Sequence, residues 1–252
     1  MDYRSQARRA RLRLVVLGTA VAALVAGAGI LALDNARGNT APASKAKFSP
    51  GRDTAIDPAN RGKKNTPATA RSTRIVKPKS AKNGIGIGFP HTAIGATSAA
   101  VSYWEDLSFI DDQAAGQQLR TVAVQPSDPV VQKRVSEVRE LREKVGLPPS
   151  GGPPNEITFT TSVKAVLARS LDSRGDAVQV WMAYDLYATS PKQGTDDNPL
   201  KNQTDNLILT WRGGDWRVTQ EPEWVRKSVW PDTYDPDSIT SFQAGWREVT
   251  DA

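Results

Sequence analysis

Residues 157–186 read ITFTTSVKAVLARSLDSRGDAVQVWMAYDL, and this stretch decides the fold class. Apolar and polar side chains alternate on both sides of Ser173-Arg-Gly-Asp176, which has the composition of a hairpin turn. The sequence therefore predicts two long antiparallel strands. Alternation places one apolar set on the buried face of the second strand: Val178, Val180, Met182, Tyr184 and Leu186. Asp185 falls on the opposite face, and we predict that it is exposed or half-exposed.

A second hairpin follows downstream. Residues 190–205 are polar and predict a loop, after which Leu207, Leu209 and Trp211 alternate up to Gly213-Gly214. A pair of glycines between alternating segments is typical of a tight two-residue turn, and Trp216 and Val218 continue the pattern behind it. Near the end of the chain the spacing becomes helical and predicts a terminal helix with four apolar positions: Ile239, Phe242, Trp246 and Val249.

Three helices are predicted upstream of the strands, over about 92–109, 111–121 and 129–145. Asp128-Pro129 gives the third helix a cap and a first-turn proline, and Gly146 with Pro148 ends it. Its charged face is predicted to be solvated. Helices followed by antiparallel strands predict an α+β fold in which helices pack on one face of a curved sheet.

Residues 14–33 form a 20-residue run without a charge, LVVLGTAVAALVAGAGILAL. A helix of that length spans about 30 Å, which matches the hydrocarbon core of a bilayer. Basic residues on the N-terminal side, in the tail 1–13, predict a cytoplasmic N-terminus and an extracytoplasmic C-terminal part: Arg8, Arg9, Arg11 and Arg13. We predict a single-pass anchor in the cell membrane. The alternative is a cleaved signal peptide, whose apolar region is usually shorter.

Residues 34–88 are predicted to be a disordered basic linker. Proline, alanine, serine, threonine and lysine dominate, and 34–83 carry twelve Lys/Arg against three Asp. A segment so poor in large apolar residues cannot offset its ordering entropy. The charge could bind anionic lipid or cell-wall polymer, or merely keep a spacer soluble. Gly84 to Pro90 is interpreted as a flexible joint before an extracytoplasmic domain over 89–222 and a C-terminal extension over 223–252.

The whole-chain charge of +6 conceals a basic first third and an acidic remainder. Residues 84–252 hold 16 basic and 23 acidic side chains, so the basic balance does not predict direct nucleic-acid binding. The chain has no cysteine and a single histidine, His91. Disulfides, thiol nucleophiles, iron–sulfur clusters and multi-histidine metal sites within one chain are therefore excluded.

The order of these segments resembles a known architecture. A basic tail, one span, a linker rich in proline and lysine, helices, and long strands ending in Trp211-Arg-Gly-Gly-Asp-Trp-Arg-Val218 resemble membrane-anchored domains like nuclear transport factor two. The stretch Gly88-Phe-Pro-His-Thr-Ala-Ile-Gly-Ala96 resembles actinobacterial membrane proteins found with conjugative elements. The resemblance implies a cone-like α+β domain, as in inner-membrane scaffold proteins of conjugation and type IV secretion or accessory proteins of lipid importers.

No catalytic, cofactor-binding or metal-binding residue is predicted. Asp185 lacks a partnering histidine in the local pattern, and His91 next to Pro90 is expected at a helix cap or on the surface. Asp232, Asp235 and Asp237 lack the glycine and closing glutamate of a calcium loop. Trp224 and Trp230 are candidates for a partner-binding surface. The candidates for a pocket wall are Trp104, Phe159, Tyr184 and Trp211.

These features predict a non-enzymatic scaffold component of a conjugative transfer or secretion apparatus, anchored in the membrane. Its expected partners are other membrane or secretion-complex proteins and further copies of the chain. The alternative is an accessory protein of a transport system that binds a small lipid-like ligand inside the cone. An exported enzyme is the third alternative. No cofactor is expected.

Overall fold

The computed structural model describes residues 65–144, 146–153, 158–190, 194–195 and 199–250. Within these ranges the chain forms five helices, α1 Ala93–Asp106, α2 Asp112–Val122, α3 Pro129–Lys144, α4 Pro222–Val225 and α5 Ile239–Ala244. None of the helices in the described ranges is both long enough and apolar enough to span a bilayer. The predicted tail 1–13, the anchor 14–33 and the linker up to residue 64 lie outside the described residues.

The strands are β1 Thr73–Arg74, β2 Ser80–Lys82, β3 Ile85–Ile87, β4 Thr158–Ser170, β5 Ala177–Ser190, β6 Gly194–Thr195, β7 Leu200–Arg212, β8 Asp215–Val218 and β9 Arg247–Thr250. The main sheet has the order β1-β9-β4-β5-β7-β8, with β6 paired to β5. All its pairings are antiparallel except β1 with β9. Both predicted hairpins are confirmed, and Gly213 and Gly214 have the positive φ angles that the tight turn requires.

Two irregularities bend the sheet at the same level. The β4–β5 register shifts between Val163 and Ala165, and the β5–β7 register shifts between Tyr184 and Leu186. An extra residue in one strand locally increases its twist and bends it. The long strands therefore curl into a half-barrel, and its inner face receives the helices. The α+β prediction, with helices on one face of a curved sheet, is confirmed.

The main core lies between the inner face of the sheet and α1 to α3. The predicted inward set on β5, together with Leu207 and Leu209 of β7, belongs to it. Thr92 caps α1 by accepting a hydrogen bond from the Gly95 amide, and Asp128 accepts from Val130 at the start of α3. Tyr103 of α1 donates to the Trp216 carbonyl at 2.8 Å, which ties the helix to the β7–β8 hairpin.

The predicted boundary between linker and domain differs from the structure. Residues 73–87 contribute three short strands, and Ile85 and Phe89 are fully buried. The stretch interpreted as a flexible joint is fixed by Asp215, whose carboxylate accepts from the amides of Gly88 and Phe89 at 2.9 and 3.2 Å. Composition alone does not predict these strands, because residues 73–89 are buried by contacts with helices and strands that are distant in sequence.

The C-terminal extension covers the outer face of the sheet, which is the face opposite the helices. Trp181 packs there with Trp246 and Tyr234, and Trp224 packs against Leu171, Ala177 and Ile208. Asp185 lies on this covered face and is buried, so the prediction of an exposed or half-exposed side chain is wrong. The outer face is less apolar than the inner one, but it is covered nonetheless.

Three further predictions need correction. Strand β7 begins at Leu200, inside the predicted loop 190–205. The terminal helix ends at Ala244, because Gly245 adopts a left-handed conformation with φ of 115°, and Val249 belongs to β9. The charged face of α3 is not simply solvated, since Arg142 is buried.

Candidate functional site

Polar side chains collect on the inner face, where α1, α3, β5 and β7 meet. Trp104 comes from α1, Arg134 from α3, Tyr184 from β5 and Asp205 from β7, and we call these four residues the inner polar cluster. The indole of Trp104 lies 5.4 Å from the Tyr184 ring. Asp205 pairs with Met182 in the β5–β7 register, which places both on the inner face.

Arg134 is held by aromatic rings. Its guanidinium carbon lies 4.5 Å from the centre of the Phe109 ring and 5.9 Å from that of Trp104. Nη1 contacts the Glu137 carboxylate at 3.5 Å, an ion pair one turn along the same helix. Stacking on an aromatic face leaves the in-plane N–H groups of a guanidinium available to a partner.

Two buried nitrogens of the inner polar cluster, Arg134 Nε and Arg134 Nη2, have no hydrogen-bond partner among the described residues. Trp104 Nε1 and Tyr184 Oη are also buried, and the Trp104 indole interacts with the Tyr184 hydroxyl. A buried polar atom without a partner costs about 1–3 kcal/mol, so native proteins keep few of them.

The electrostatics of the cluster centre on Asp205. Burial raises its pKa to about 6, against the opposing effects of the Asn206 amide and the Arg134 charge. Burial also raises the pKa of Tyr184 well above its ordinary value and the Asp205 charge adds to this effect, against the opposing effects of the Arg134 charge and a side-chain hydrogen bond from Trp104. Tyr184 is therefore a neutral hydroxyl at physiological pH, whereas Asp205 changes its charge near pH 6.

Of the four predicted pocket-wall residues, the structure brings Trp104 and Tyr184 together. Phe159 is partly buried against the same core. Trp211 also packs against this core, where it stacks on His91 with ring centres 4.3 Å apart, and His91 Nε2 contacts the Asp176 carboxylate at 2.9 Å. His91 thus lies partly exposed beside the first turn of α1.

Sequence analysis missed Arg134 and Asp205. Asp205 continues the i, i+2 series of Leu207 and Leu209, so alternation could have placed it on the inner face. The polar composition of residues 190–205 predicts a loop there instead. No comparable signal identifies Arg134, which sits among other charged residues of α3.

A cleft of about 360 Å³ lies on the outer side of the sheet bend, between β4, β7 and the C-terminal extension. Lys164, Asp185, Asn202, Tyr234 and Glu248 contribute to its lining. The Asp185 carboxylate is already occupied there, because it accepts from Tyr187 Oη at 3.1 Å and from the Asn202 amide at 3.0 Å. These contacts explain how a carboxylate is tolerated on a covered face.

The C-terminal apolar surface consists of Val225, Val229 and Trp230, which are 46%, 51% and 39% exposed. It is fixed to the sheet: the Trp230 ring centre lies 3.9 Å from that of Trp181, and Gln179 bonds to Ser228 and to the Val229 amide. Trp224 is less available, since its ring is partly buried and Lys227 Nζ lies 4.3 Å from its centre. Of the two predicted surface tryptophans, Trp230 is thus the more exposed.

Asp235 and Asp237 of the C-terminal extension take part in a local turn. Asp235 accepts a hydrogen bond from the Asp237 amide, as in an Asp-capped turn. No group of three or more His, Cys, Asp or Glu with the geometry of a metal site is found among the described residues.

Comparison with known proteins adds no assignment: no family model, no curated protein and no solved structure matches this chain.

Proposed function

We propose that this protein is a non-enzymatic, membrane-anchored scaffold component of a conjugative transfer or secretion apparatus. Its extracytoplasmic part is a cone-like domain similar to nuclear transport factor two, with the uncharged run 14–33 as the anchor in the cell membrane. The partners are other membrane or secretion-complex proteins and further copies of the chain. Nucleic acid is not contacted directly.

One observation carries this proposal: the C-terminal apolar surface is exposed and yet held in place. Val225, Val229 and Trp230 are all exposed and lie within six consecutive residues, and a local group of exposed apolar side chains is typical of a protein-interaction surface. Its rigid attachment to Trp181 and Gln179 lowers the entropy lost when a partner binds. Catalysis would not require such a surface.

The charge distribution supports the same function. An acidic folded part on a basic linker favours contacts with proteins over contacts with nucleic acid. The surface lies on the extension, and thus on the face of the sheet turned away from the helices.

Site-specific photo-crosslinking in native membranes tests the proposal. A photoreactive residue at Val229 is expected to crosslink to a membrane or secretion-complex protein, or to a second copy of the chain. The same residue at Arg174, an exposed turn position remote in sequence, is the matched control and should give no such product.

The double variant Val225→Ser, Val229→Ser removes exposed apolar area without touching the core. It should reduce transfer or secretion while the protein level stays unchanged, and Val225→Ser alone should weaken the crosslink formed by the photoreactive residue at Val229. Equal crosslinking at Val229 and Arg174, or full transfer by the double variant, would refute the scaffold function.

A further inference from the structure

We propose that the cleft on the outer side of the sheet bend binds a small zwitterion, namely an amino acid or a short peptide with a free ammonium and a free carboxylate. The inference does not depend on the scaffold function, because Val225, Val229 and Trp230 do not line this cleft. Its volume of about 360 Å³ lies near the lower end of the range for ligand pockets, about 300–1,000 Å³. The ligand is therefore expected to be small.

The two irregularities of the sheet direct polar side chains into the cleft. Lys164 of β4 is skipped in the β4–β5 register and is the extra residue of one bulge. In the other bulge, residues 200–203 of β7 lie opposite only 184–186 of β5, and Asn202 adopts a left-handed conformation with φ of 56°. Lys164 and Asn202 both line the cleft. Bulges are frequent next to functional sites, where they redirect a side chain.

Asp185 brings a buried negative charge to the same cleft. It is only 8% exposed, and its two hydrogen-bond donors, Tyr187 Oη and the Asn202 amide, are neutral. Within the part of the chain that the structure describes, no cationic side chain forms an ion pair with it. Buried carboxylates in native proteins are usually paired with a cation. The two donors fix the carboxylate and use about half of its roughly four acceptor sites, which leaves the remainder for a ligand ammonium.

The other charges of the cleft fit the two ends of a zwitterion. Glu248 lines the cleft, and its carboxylate accepts a hydrogen bond from Tyr234 Oη at 3.3 Å. A ligand ammonium would therefore meet two carboxylates, those of Asp185 and Glu248. Lys164 is exposed and makes no ion pair with any described residue. Its ammonium is available to a ligand carboxylate.

The mixture of charges selects a ligand that carries both signs. A purely anionic ligand would be repelled by two carboxylates, and a purely cationic ligand would be repelled by Lys164. The remaining wall includes the small apolar side chains of Ala183, Pro236 and Val249. These side chains suit a compact body between the two charged ends, such as that of alanine or a dipeptide of alanine.

The test uses the full chain labelled with 3-fluorotyrosine and held in an amphipathic polymer. The chain contains five tyrosines, and the fluorine signal of Tyr234 is assigned by its loss in Tyr234→Phe. Three probes are titrated at pH 6.5, where a terminal amine is protonated: L-alanyl-L-alanine, its N-acetyl derivative and its C-terminal amide. The acetyl derivative lacks the ammonium, and the amide lacks the carboxylate.

Alanylalanine is expected to shift the Tyr234 signal saturably, because Tyr234 lines the cleft. Acetylation should weaken binding about tenfold, since the ammonium meets two carboxylates. Amidation should weaken binding several-fold, since the ligand carboxylate meets one ammonium.

Variants of the lining assign the two ends of the ligand. Lys164→Met should weaken alanylalanine binding several-fold without weakening the binding of the amide. Lys144→Met, which removes an exposed lysine of α3, is the matched control and should bind like the parent. Asp185→Asn should weaken alanylalanine binding about tenfold and reduce its advantage over the acetyl derivative. Glu248→Gln, at an exposed position, gives the same comparison should Asp185→Asn not fold.

Three results would overturn the proposal. They are the lack of a saturable shift with alanylalanine, equal binding of all three probes, and equal weakening by Lys164→Met and Lys144→Met. Each of them leaves the scaffold function untouched, because that function is tested by crosslinking at Val229, outside the cleft.

Discussion

Two arginines of α3 are held in different ways: Arg142, near the C-terminal end, is buried, whereas Arg134, in the N-terminal half, is partly exposed. At the C-terminal end, Arg142 is enclosed by four carbonyl oxygens, and Asp112 beside it accepts from Ser150, Gly151 and Arg139. At the N-terminal end, Arg134 rests on aromatic rings with two nitrogens unpaired among the described residues. The hydrogen bonds of Arg142 stabilise the fold. Arg134 lacks comparable hydrogen bonds, so it contributes less to stability.

The largest expected effect comes from Arg142→Met. The variant leaves four carbonyls, including that of the buried Ile110, without their donor and should lower the free energy of unfolding by about 2–4 kcal/mol. Arg134→Met is the matched variant on the same helix, and it should change stability by less than about 1 kcal/mol or raise it. Chemical denaturation measures the free energy of unfolding of both variants. Equal losses of stability would show that the two arginines do not differ in their contribution to the fold.

Asp112, beside Arg142, is expected to make the stability of the fold sensitive to acid. Burial alone would raise its pKa, but the Gly151 amide, Arg139 and Ser150 outweigh burial and lower the pKa to about 2. A lowered pKa stabilises the fold above pH 4, and this contribution is lost as the pH falls from 4 to 2. Asp112→Asn should therefore cost about 1–2 kcal/mol at pH 7 and flatten the pH dependence below 4. Denaturation series at several pH values check this, and an unchanged slope would contradict it.

Asp205, near Arg134, is expected to give the opposite pH dependence of the free energy of unfolding. Its pKa is raised to about 6, so the folded state takes up a proton more readily than the unfolded state, and stability falls as the pH rises from 4 to 6. Asp205→Asn removes that penalty and should stabilise the protein by about 1–2 kcal/mol at pH 7.5. The gain should vanish near pH 4. A destabilised variant at pH 7.5 would mean that Asp205 is paired more tightly than its contacts indicate.

The smallest effect is expected for Tyr184→Phe. The hydroxyl makes only a weak contact with the Trp104 indole, so its removal should change the free energy of unfolding by less than about 0.5 kcal/mol. Tyr103→Phe is the matched control, because Tyr103 Oη donates to the Trp216 carbonyl, and it should cost about 1 kcal/mol. Thermal melts of the two variants side by side decide the point.

Periodicity was sufficient to predict α1 to α3, both hairpins and the inward face of β5. It failed on the outer face, because residues 223–238, which help to cover Trp181 and Asp185, have no repeating pattern of their own. It also failed for β1, whose partner Val249 lies far along the chain and whose two residues show no alternation. Local patterns report local structure, whereas these features depend on contacts between distant segments.

The candidate site was predicted only in part. Trp104 and Tyr184 are large aromatic residues on apolar faces, which sequence analysis recognises readily. Arg134 could not be separated from the other charged residues of α3, because only its neighbours in space distinguish it from Arg142. The difference between a paired and an unpaired guanidinium is a property of three-dimensional geometry.

The parallel pairing of β1 with β9 has a mechanical consequence. Every residue before Thr73 is connected to the sheet through this pair, in which Thr73 lies opposite Val249 and the Ile75 amide donates to the Thr250 carbonyl at 3.0 Å. Force applied along the preceding chain acts along the axis of β1 and loads these bonds in shear, all at once. The ladder is only two residues long, so it is expected to yield before the long strands do. Under tension β1 would detach and lengthen the chain in front of the domain while the core remained folded.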